Sequence, residues 1–526
     1  MQYKDFDQTA AYRKLQALAP AGKKFDFASR LDAGRVEKSQ TPIAAGLTYS
    51  WAAKAVDEGA LKILQELADE QELIGKYKAL LDGEIINTGE KRKVLHQLSR
   101  GELGKPVIHE GKNIGEFYRK ELDRLGAFAA DVQAGKIRGA AGKAFKYAVQ
   151  IGIGGSDLGP RAVYLALENW AAAEGKLKLH AKFISNVDPD DASQITSAVP
   201  LEETLFILVS KSGITQETLS NELFVKDKLK KAGLDPSKHI VAVTSETSPL
   251  AHNSAYLDSF YIDDFIGGRY SSTSGVGGVI LSLAFGPDVF KDFLAGAHEA
   301  DKAALEPDIL KNAALLDALI GVWERNFLGC PYTAVLPYSQ ALSRFPAHLQ
   351  QLDMESNGKR VNRDGKPLAY STGPVVFGEP GTNGQHSFYQ LLHQGTDIVP
   401  LQFVGFTESQ RGDDVTVDGS TSQTKLKANL AAQIAAFAKG QSSADRNKEF
   451  PGGRPSSLIY GKRLTPRALG ALLAHFENKV MFQGFVWNVN SFDQEGVQLG
   501  KILTKKVLAG NSGDSALDAY SRILGI

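Results

Sequence analysis

Two parallel-sheet α/β domains, with a helical region before them, are what the order of apolar runs in this chain predicts. Three observations carry that expectation. Up to about residue 110, apolar residues recur every three or four positions between charges, as in Ala55 to Leu81, which is the period of a helix with one buried face. From Tyr147 onward, short continuous apolar runs end in small polar residues before a helical pattern resumes, which is how strands buried on both faces of a parallel sheet read. This alternation occurs twice, on either side of a helical stretch around Lys302 to Asn326.

The first set of runs is Tyr147 to Ile151, Lys182 to Ser185, Thr204 to Val209 and His239 to Thr244. The second is Tyr332 to Leu336, Pro374 to Phe377, Ile398 to Gly405 and Leu458 to Tyr460. Glu408 to Lys425 and Gly440 to Ser457 are rich in Ser, Asp, Gly and Gln and read as exposed loops. Thr465 followed by Pro466 is a cap and first-turn pair, and it opens a helix running through Asn478.

At roughly 150 residues per domain, a chain of 526 residues holds two to four domains. Sixty Lys and Arg balance sixty Asp and Glu, so no global field recruits nucleic acid or an anionic membrane, and any anion site must be local. Cys330 is the sole cysteine, which excludes an intramolecular disulfide and every site needing paired thiolates; between Gly329 and Pro331 it reads as a small buried hydrophobe. Met1 to Lys14 is polar and of mixed charge, with no signal-peptide apolar region. The longest nearly apolar stretch, Val276 to Phe285, is far short of the roughly 20 residues of a membrane helix. A cytoplasmic protein is the expectation.

Two glycine- or hydroxyl-rich segments follow apolar runs and open helices. Gly152-Ile-Gly154-Gly155-Ser156-Asp157-Leu-Gly159 invites a dinucleotide reading, but the third glycine of that fingerprint would fall on Asp157, a charge unwelcome beside a pyrophosphate. Gly496 to Lys501 fails as a nucleotide loop, with the wrong glycine spacing and Ile502 where magnesium needs a hydroxyl. Ser210-Lys211-Ser212-Gly213-Ile214-Thr215 gathers three hydroxyls and backbone N–H groups at a helix start. Each hydrogen bond to a phosphate dianion is worth about 1.5–3 kcal/mol, so four or five hold it without an arginine cluster. Ordinary helix capping by Ser and Thr is the competing reading of that loop on its own.

Further blocks are Gly267-Gly268-Arg269-Tyr270-Ser271, Gln351-Leu-Asp353-Met-Glu355-Ser-Asn357-Gly-Lys359, Gly381-Thr-Asn-Gly-Gln385-His386-Ser-Phe-Tyr-Gln390 and Phe492-Asp493-Gln494-Glu-Gly496-Val-Gln-Leu-Gly-Lys501. Asn87 to His96 and Leu464 to Gly470 add two more. In these blocks the chain resembles the glucose-6-phosphate isomerase (phosphoglucose isomerase) family, in the family's order over roughly residues 150 to 505. Two departures stand out: Ser212-Gly213-Ile214 replaces a more Thr- and Phe-rich loop of animal members, and Glu495 stands where many members have Trp.

The resemblance implies an α/β fold of two sugar-isomerase (SIS) domains, flavodoxin-like and parallel-sheet, with an N-terminal helical region and a C-terminal tail. The expected division is 1–110 helical, 111–295 first SIS domain with the phosphate loops, 296–510 second SIS domain with the catalytic Glu and His, and 511–526 tail. It implies reversible aldose-ketose isomerisation of glucose 6-phosphate and fructose 6-phosphate in glycolysis and gluconeogenesis, by ring opening and proton transfer through a cis-enediolate, with no metal and no cofactor. A homodimer with active sites shared between subunits is the expected assembly.

By the same resemblance Glu355 is the base, Arg269 stabilises the enediolate, and His386 and Lys501 open the ring, the histidine coming from the neighbouring subunit. Gly155 lets the backbone approach the substrate. Ser156, Ser210, Lys211, Ser212 and Thr215 meet the phosphate, Gln351 and Gln494 line the sugar, and Glu217 supports His386. His393, seven residues beyond His386, reads as a packed helix residue and completes no zinc motif. A non-catalytic SIS-type sugar-phosphate sensor stays open here, as does a related isomerase of broader specificity, for example one accepting mannose 6-phosphate. The quartet Arg269, Glu355, His386 and Lys501 is what separates an enzyme from a sensor, since fold alone does not imply chemistry.

Overall fold

The computed structural model describes residues 2–510 and 512–526, which fall into two compact units, Met1–Ser491 and Phe492–Ile526. Two main sheets lie in the first unit. The first has the order Ser259–Ile262, Ile240–Ser245, Thr204–Val209, Tyr147–Ile151, His180–Ile184, all pairs parallel. Numbered along the chain this is the doubly wound order 2-1-3-4-5 of flavodoxin-like folds, whose winding reverses between the first and third strands. Every residue of Thr204–Val209 is buried, as its unbroken apolar run requires, and Phe206 and Leu208 pack with Val149, Ile151, Val225 and Ile240.

The second sheet has the order Gln40–Pro42, Thr48–Ser50, Ser456–Gly461, Leu401–Phe406, Tyr332–Tyr338, Val375–Phe377. Its last four strands are parallel in the same 2-1-3-4 order, but the fifth position is taken by an antiparallel hairpin from the N-terminal region. The sequence reading omits that hairpin and the edge strand Ser259–Ile262. All three are strands of three or four residues at or beside a sheet edge, too short to show a pattern. The strands expected at 182–185, 239–244 and 398–405 lie within one to three residues of those ends.

The long N-terminal helical run is two helices, Glu58–Glu70 and Leu73–Leu81, broken where Glu72 adopts a left-handed φ of 49°. Of the loops expected at 408–425 and 440–457, the first holds a small hairpin, Thr416–Val417 with Ser420–Thr421, and ends early in the helix Ser422–Lys439, capped by Thr421. Thr465 caps its helix as expected, accepting from Ala468 N at 3.2 Å, but that helix runs on to Val486 and is buried nearly throughout. At its centre Glu477 pairs with Arg100, which also bonds both oxygens of Asp301 at 3.0 and 3.1 Å. Three elements distant in sequence are thus tied by fully buried charges, where removing one partner typically costs about 3–5 kcal/mol. Among the described residues no helix is long and apolar enough to cross a membrane.

Candidate active site

The reversal of winding in the first sheet sets two loops side by side, those leaving Tyr147–Ile151 and Thr204–Val209. In doubly wound sheets such a crevice at the carboxyl ends of the strands is where ligands bind. The first loop makes a 3₁₀ turn, Gly154–Ser156, into the helix Leu158–Ala173. Asp157, which spoils the dinucleotide fingerprint, is buried with its carboxylate on Arg161 Nε at 2.8 Å. Gly155 is glycine for a steric reason: a Cβ there would stand 2.2 Å from the backbone carbon of Gly268. The loop bearing Arg269 therefore lies directly on the first turn.

In the second loop Ser210 is buried, and its hydroxyl accepts from Gly213 N at 3.1 Å and donates to Thr215 Oγ1 at 3.2 Å. Thr215 is the N-cap residue of the helix Gln216–Lys231, yet its side chain makes no cap bond, so capping does not account for this hydroxyl. Ser212 is exposed and Lys211 half-buried, with Lys211 Nζ 3.4 Å from the carbonyl of Ile266 and 3.7 Å from Asp264. Glu217 lies in the first turn of the same helix, partly exposed.

The second sheet contributes through the helix after its first strand. That helix, Phe345–Gln350, widens into a π turn over Gln351–Glu355, an irregularity often found at functional sites. A Cβ on Gly154, whose φ is 60°, would stand 3.3 Å from Gln351 Nε2, so Gln351 faces the glycine turn. The Gln351 amide oxygen is buried without a hydrogen-bond partner. Glu355 Oε2 lies 3.5 Å from Arg269 Nη1, and it too has no hydrogen-bond partner.

Arg269 is 1% exposed and rigidly held: Nε donates to Ser356 Oγ at 2.6 Å and Nη2 to the Ser491 carbonyl at 2.6 Å. Tyr270 shares Ser356, its hydroxyl 3.0 Å from the same Oγ. A fixed guanidinium beside a carboxylate with a spare lone pair can hold a developing oxyanion while the carboxylate takes a proton. Ser356 and Ser491 are absent from the sequence-based site. Ser356 stands in the quoted Asp353 to Lys359 block, whereas the Ser491 contact is made by a backbone carbonyl 222 residues from Arg269, which no side-chain pattern encodes.

His386 is exposed on a short 3₁₀ turn, Asn383–His386. Gln494 and Lys501 belong to the second unit, Gln494 at the start of the 3₁₀ turn Glu495–Val497 and Lys501 on the helix Gln498–Leu508, both exposed. His393 is packed, stacked on Phe437 with ring centroids 3.7 Å apart, as expected of a packed helix residue. Cys330 is buried, and burial pushes its thiol up to about 12. A roomy apolar cavity of about 560 Å³, lined by Val36, Leu430 and Ile434 among others, contains none of the site residues.

The family model described as phosphoglucose isomerase matches residues 50–521. The glucose-6-phosphate isomerases of Treponema pallidum strain Nichols and Treponema denticola are 61% and 59% identical to this chain, over 100% of it and over 99% and 100% of their own lengths. A crystal structure of a glucose-6-phosphate isomerase from Chlamydia trachomatis superposes with a TM-score of 0.92 at 42% identity, covering 99% of both chains. The two doubly wound sheets, the N-terminal helices and the C-terminal tail are the fold expected of two SIS domains. Sheet order and full-length similarity agree, and the chain belongs to the phosphoglucose isomerase family.

Proposed function

We propose that this chain interconverts glucose 6-phosphate and fructose 6-phosphate, in glycolysis and gluconeogenesis. The observation that carries the reading is the pairing of a partly open carboxylate, Glu355, with the buried guanidinium of Arg269 at 3.5 Å, beside a glycine turn. The phosphate rests on Ser156, Ser210, Lys211, Ser212 and Thr215, with Gly155 admitting it to the backbone and Gln351 and Gln494 along the sugar. Residues 111–295 hold the phosphate, and 296–510 supply the acid and base.

Substrate arrives mostly as a ring, which His386 and Lys501 open by moving protons at the ring oxygen and the C1 hydroxyl. Glu355 then takes the C2 proton of the open aldose, leaving a cis-enediolate whose charge Arg269 stabilises. The same carboxyl returns the proton to C1, while O2 gives up its hydroxyl proton and O1 gains one. One base thus serves both carbons, and a positioned base of this kind contributes about 10²–10⁴-fold.

His386 comes from a second copy of the chain, with Glu217 orienting it; its exposure suits a group offered to a partner. The enzyme works as a homodimer in the cytoplasm. Purified protein with a chelator present should convert fructose 6-phosphate to glucose 6-phosphate, read through a coupled dehydrogenase. Binding without turnover would overturn the reading. Mixing inactive Glu355→Gln and His386→Ala proteins should restore part of the activity through hybrid dimers, and no recovery after verified subunit exchange would refute the shared site.

A further inference from the structure

Against the π turn, with Asp353 in its wall, lies a small cavity of about 20 Å³. Its wall holds Lys54, Asp317, Glu324, Asp353, Lys479 and Gln483. Two ion pairs are already satisfied there: Lys54 Nζ bonds both oxygens of Glu324 at 3.0 Å, and Lys479 Nζ lies 3.2 Å from Asp317, which His475 Nε2 also meets at 3.1 Å. Asp353 is the third carboxyl there, and Arg325 also lines the wall, its Nε donating to the Thr372 carbonyl at 2.8 Å. Asp353 is 7% exposed, and its Oδ1 has no hydrogen-bond partner. Gln483, on the helix Pro466–Val486, leaves its buried Oε1 equally unpartnered.

An orphaned buried acceptor costs about 1–3 kcal/mol, and two on one cavity wall call for a donor. The space suffices for one water, which needs roughly 10–15 Å³ and two to four polar partners. We propose that this cavity holds one ordered water that donates to Asp353 Oδ1 and Gln483 Oε1, and that Asp353 is through it a positioning residue for Glu355. Positions 353 and 355 are two residues apart on one turn, so their side chains leave it on opposite sides. Anchoring Asp353 fixes the turn that aims Glu355 towards Arg269. The proposal rests on Glu355 being the base.

The charged and titratable groups facing Asp353 are Lys54 from the N-terminal segment, Asp317, Glu324 and Arg325 from the helix Ala313–Trp323 and the turn after it, Cys330 and Tyr332 where the next strand begins, Lys479 from Pro466–Val486, and Tyr270 beside Arg269. Burial pushes the Asp353 carboxyl up to about 7, Lys479 opposing and Asp317 adding to the rise. Since the folded value exceeds the unfolded one, the protonated form favours folding, and that contribution is lost as pH rises towards 7. Ionisation then places in this buried wall a charge whose desolvation is not offset, since Lys54 and Lys479 are already paired with Glu324 and Asp317, and the anchor loosens.

A high-resolution crystal structure of the whole enzyme should show a density peak within hydrogen-bond distance of both oxygens; an empty cavity overturns the water. Asp353→Asn, which fixes the neutral anchored form, should hold kcat within about twofold of the parent's acid-side value and remove an inflection near pH 7 from the kcat profile, whereas Asp353→Leu, which cannot hold the water, should lower kcat about tenfold with KM within twofold. The melting temperature of Asp353→Asn relative to the parent should rise between pH 5 and 8. A parent-like kcat profile in Asp353→Asn overturns the positioning role. If that variant does not fold, Gln483→Leu tests the other end of the bridge, with a threefold or larger fall in kcat expected and an unchanged kcat contradicting it. Glu355→Gln separates the failures: if it remains active, the base reading falls; if it is inactive while Asp353→Asn keeps the parent's inflection or Asp353→Leu keeps the parent's kcat, only the positioning role falls.

Discussion

The two sheets share one winding, and in the proposed mechanism they divide the work. In the first, the loops at the reversal of strand order carry glycines and hydroxyls, and Ser210 and Thr215 bond each other rather than cap the helix that follows. In the second, the strands at the corresponding reversal end in aromatics: Tyr338 is buried and bonds Asn429, and Phe406 stands before Thr407. In the proposed mechanism that sheet delivers its chemistry one element later, on the π turn Gln351–Glu355. The lesson is that a repeated topology supplies two crevices but only the local residues decide use. Backbone and hydroxyls suit a dianion that must be held, whereas a carboxylate moving a proton needs the sharper aim of a packed helix.

Substitutions on the two sides should separate binding from chemistry. The largest effect is expected for Glu355→Gln, which removes the base but keeps the shape: kcat should fall by about 10²–10⁴ with sugar-phosphate affinity retained, measured by steady-state kinetics and calorimetry. Arg269→Lys keeps the charge but cannot reach both Ser356 and the Ser491 carbonyl, so kcat should drop about 10²-fold with KM little changed. A matching rise in KM would move Arg269 to the binding side of the comparison.

Ser210→Ala should act through KM, lowering kcat/KM about tenfold or more, since one bond to a charged group is worth about 1.5–3 kcal/mol. A fall confined to kcat would break the division between the sheets. Cys330→Ala should leave both constants within about twofold, because that thiol is buried and none of the proposed steps uses it.

Legibility in the sequence followed burial. Tyr147–Ile151 and Thr204–Val209 have the bounds expected because central parallel strands must be apolar on both faces. Gln40–Pro42 and Thr48–Ser50 are invisible by pattern, because a three-residue edge strand is placed by the sheet it joins rather than by its own residues. The composition of the hydroxyl loop admits an anion site and helix capping alike, and only the structure shows that Thr215 makes no cap bond. Glu355, by contrast, is one acid among sixty acidic residues until its motif is recognised, and its partner Arg269 lies 86 positions earlier. The π turn and the cavity beside Asp353 arise from packing between helices far apart in the chain, so no local pattern carries them.

The claim that Glu355 moves the proton between C2 and C1 has a direct test in deuterium oxide. Wild-type protein turning over glucose 6-phosphate should place solvent deuterium at C2 of the sugar and C1 of the ketose, seen by NMR. Glu355→Gln should bind the same sugar phosphate and incorporate none above the uncatalysed rate. Exchange at near wild-type rate in that variant would contradict the account.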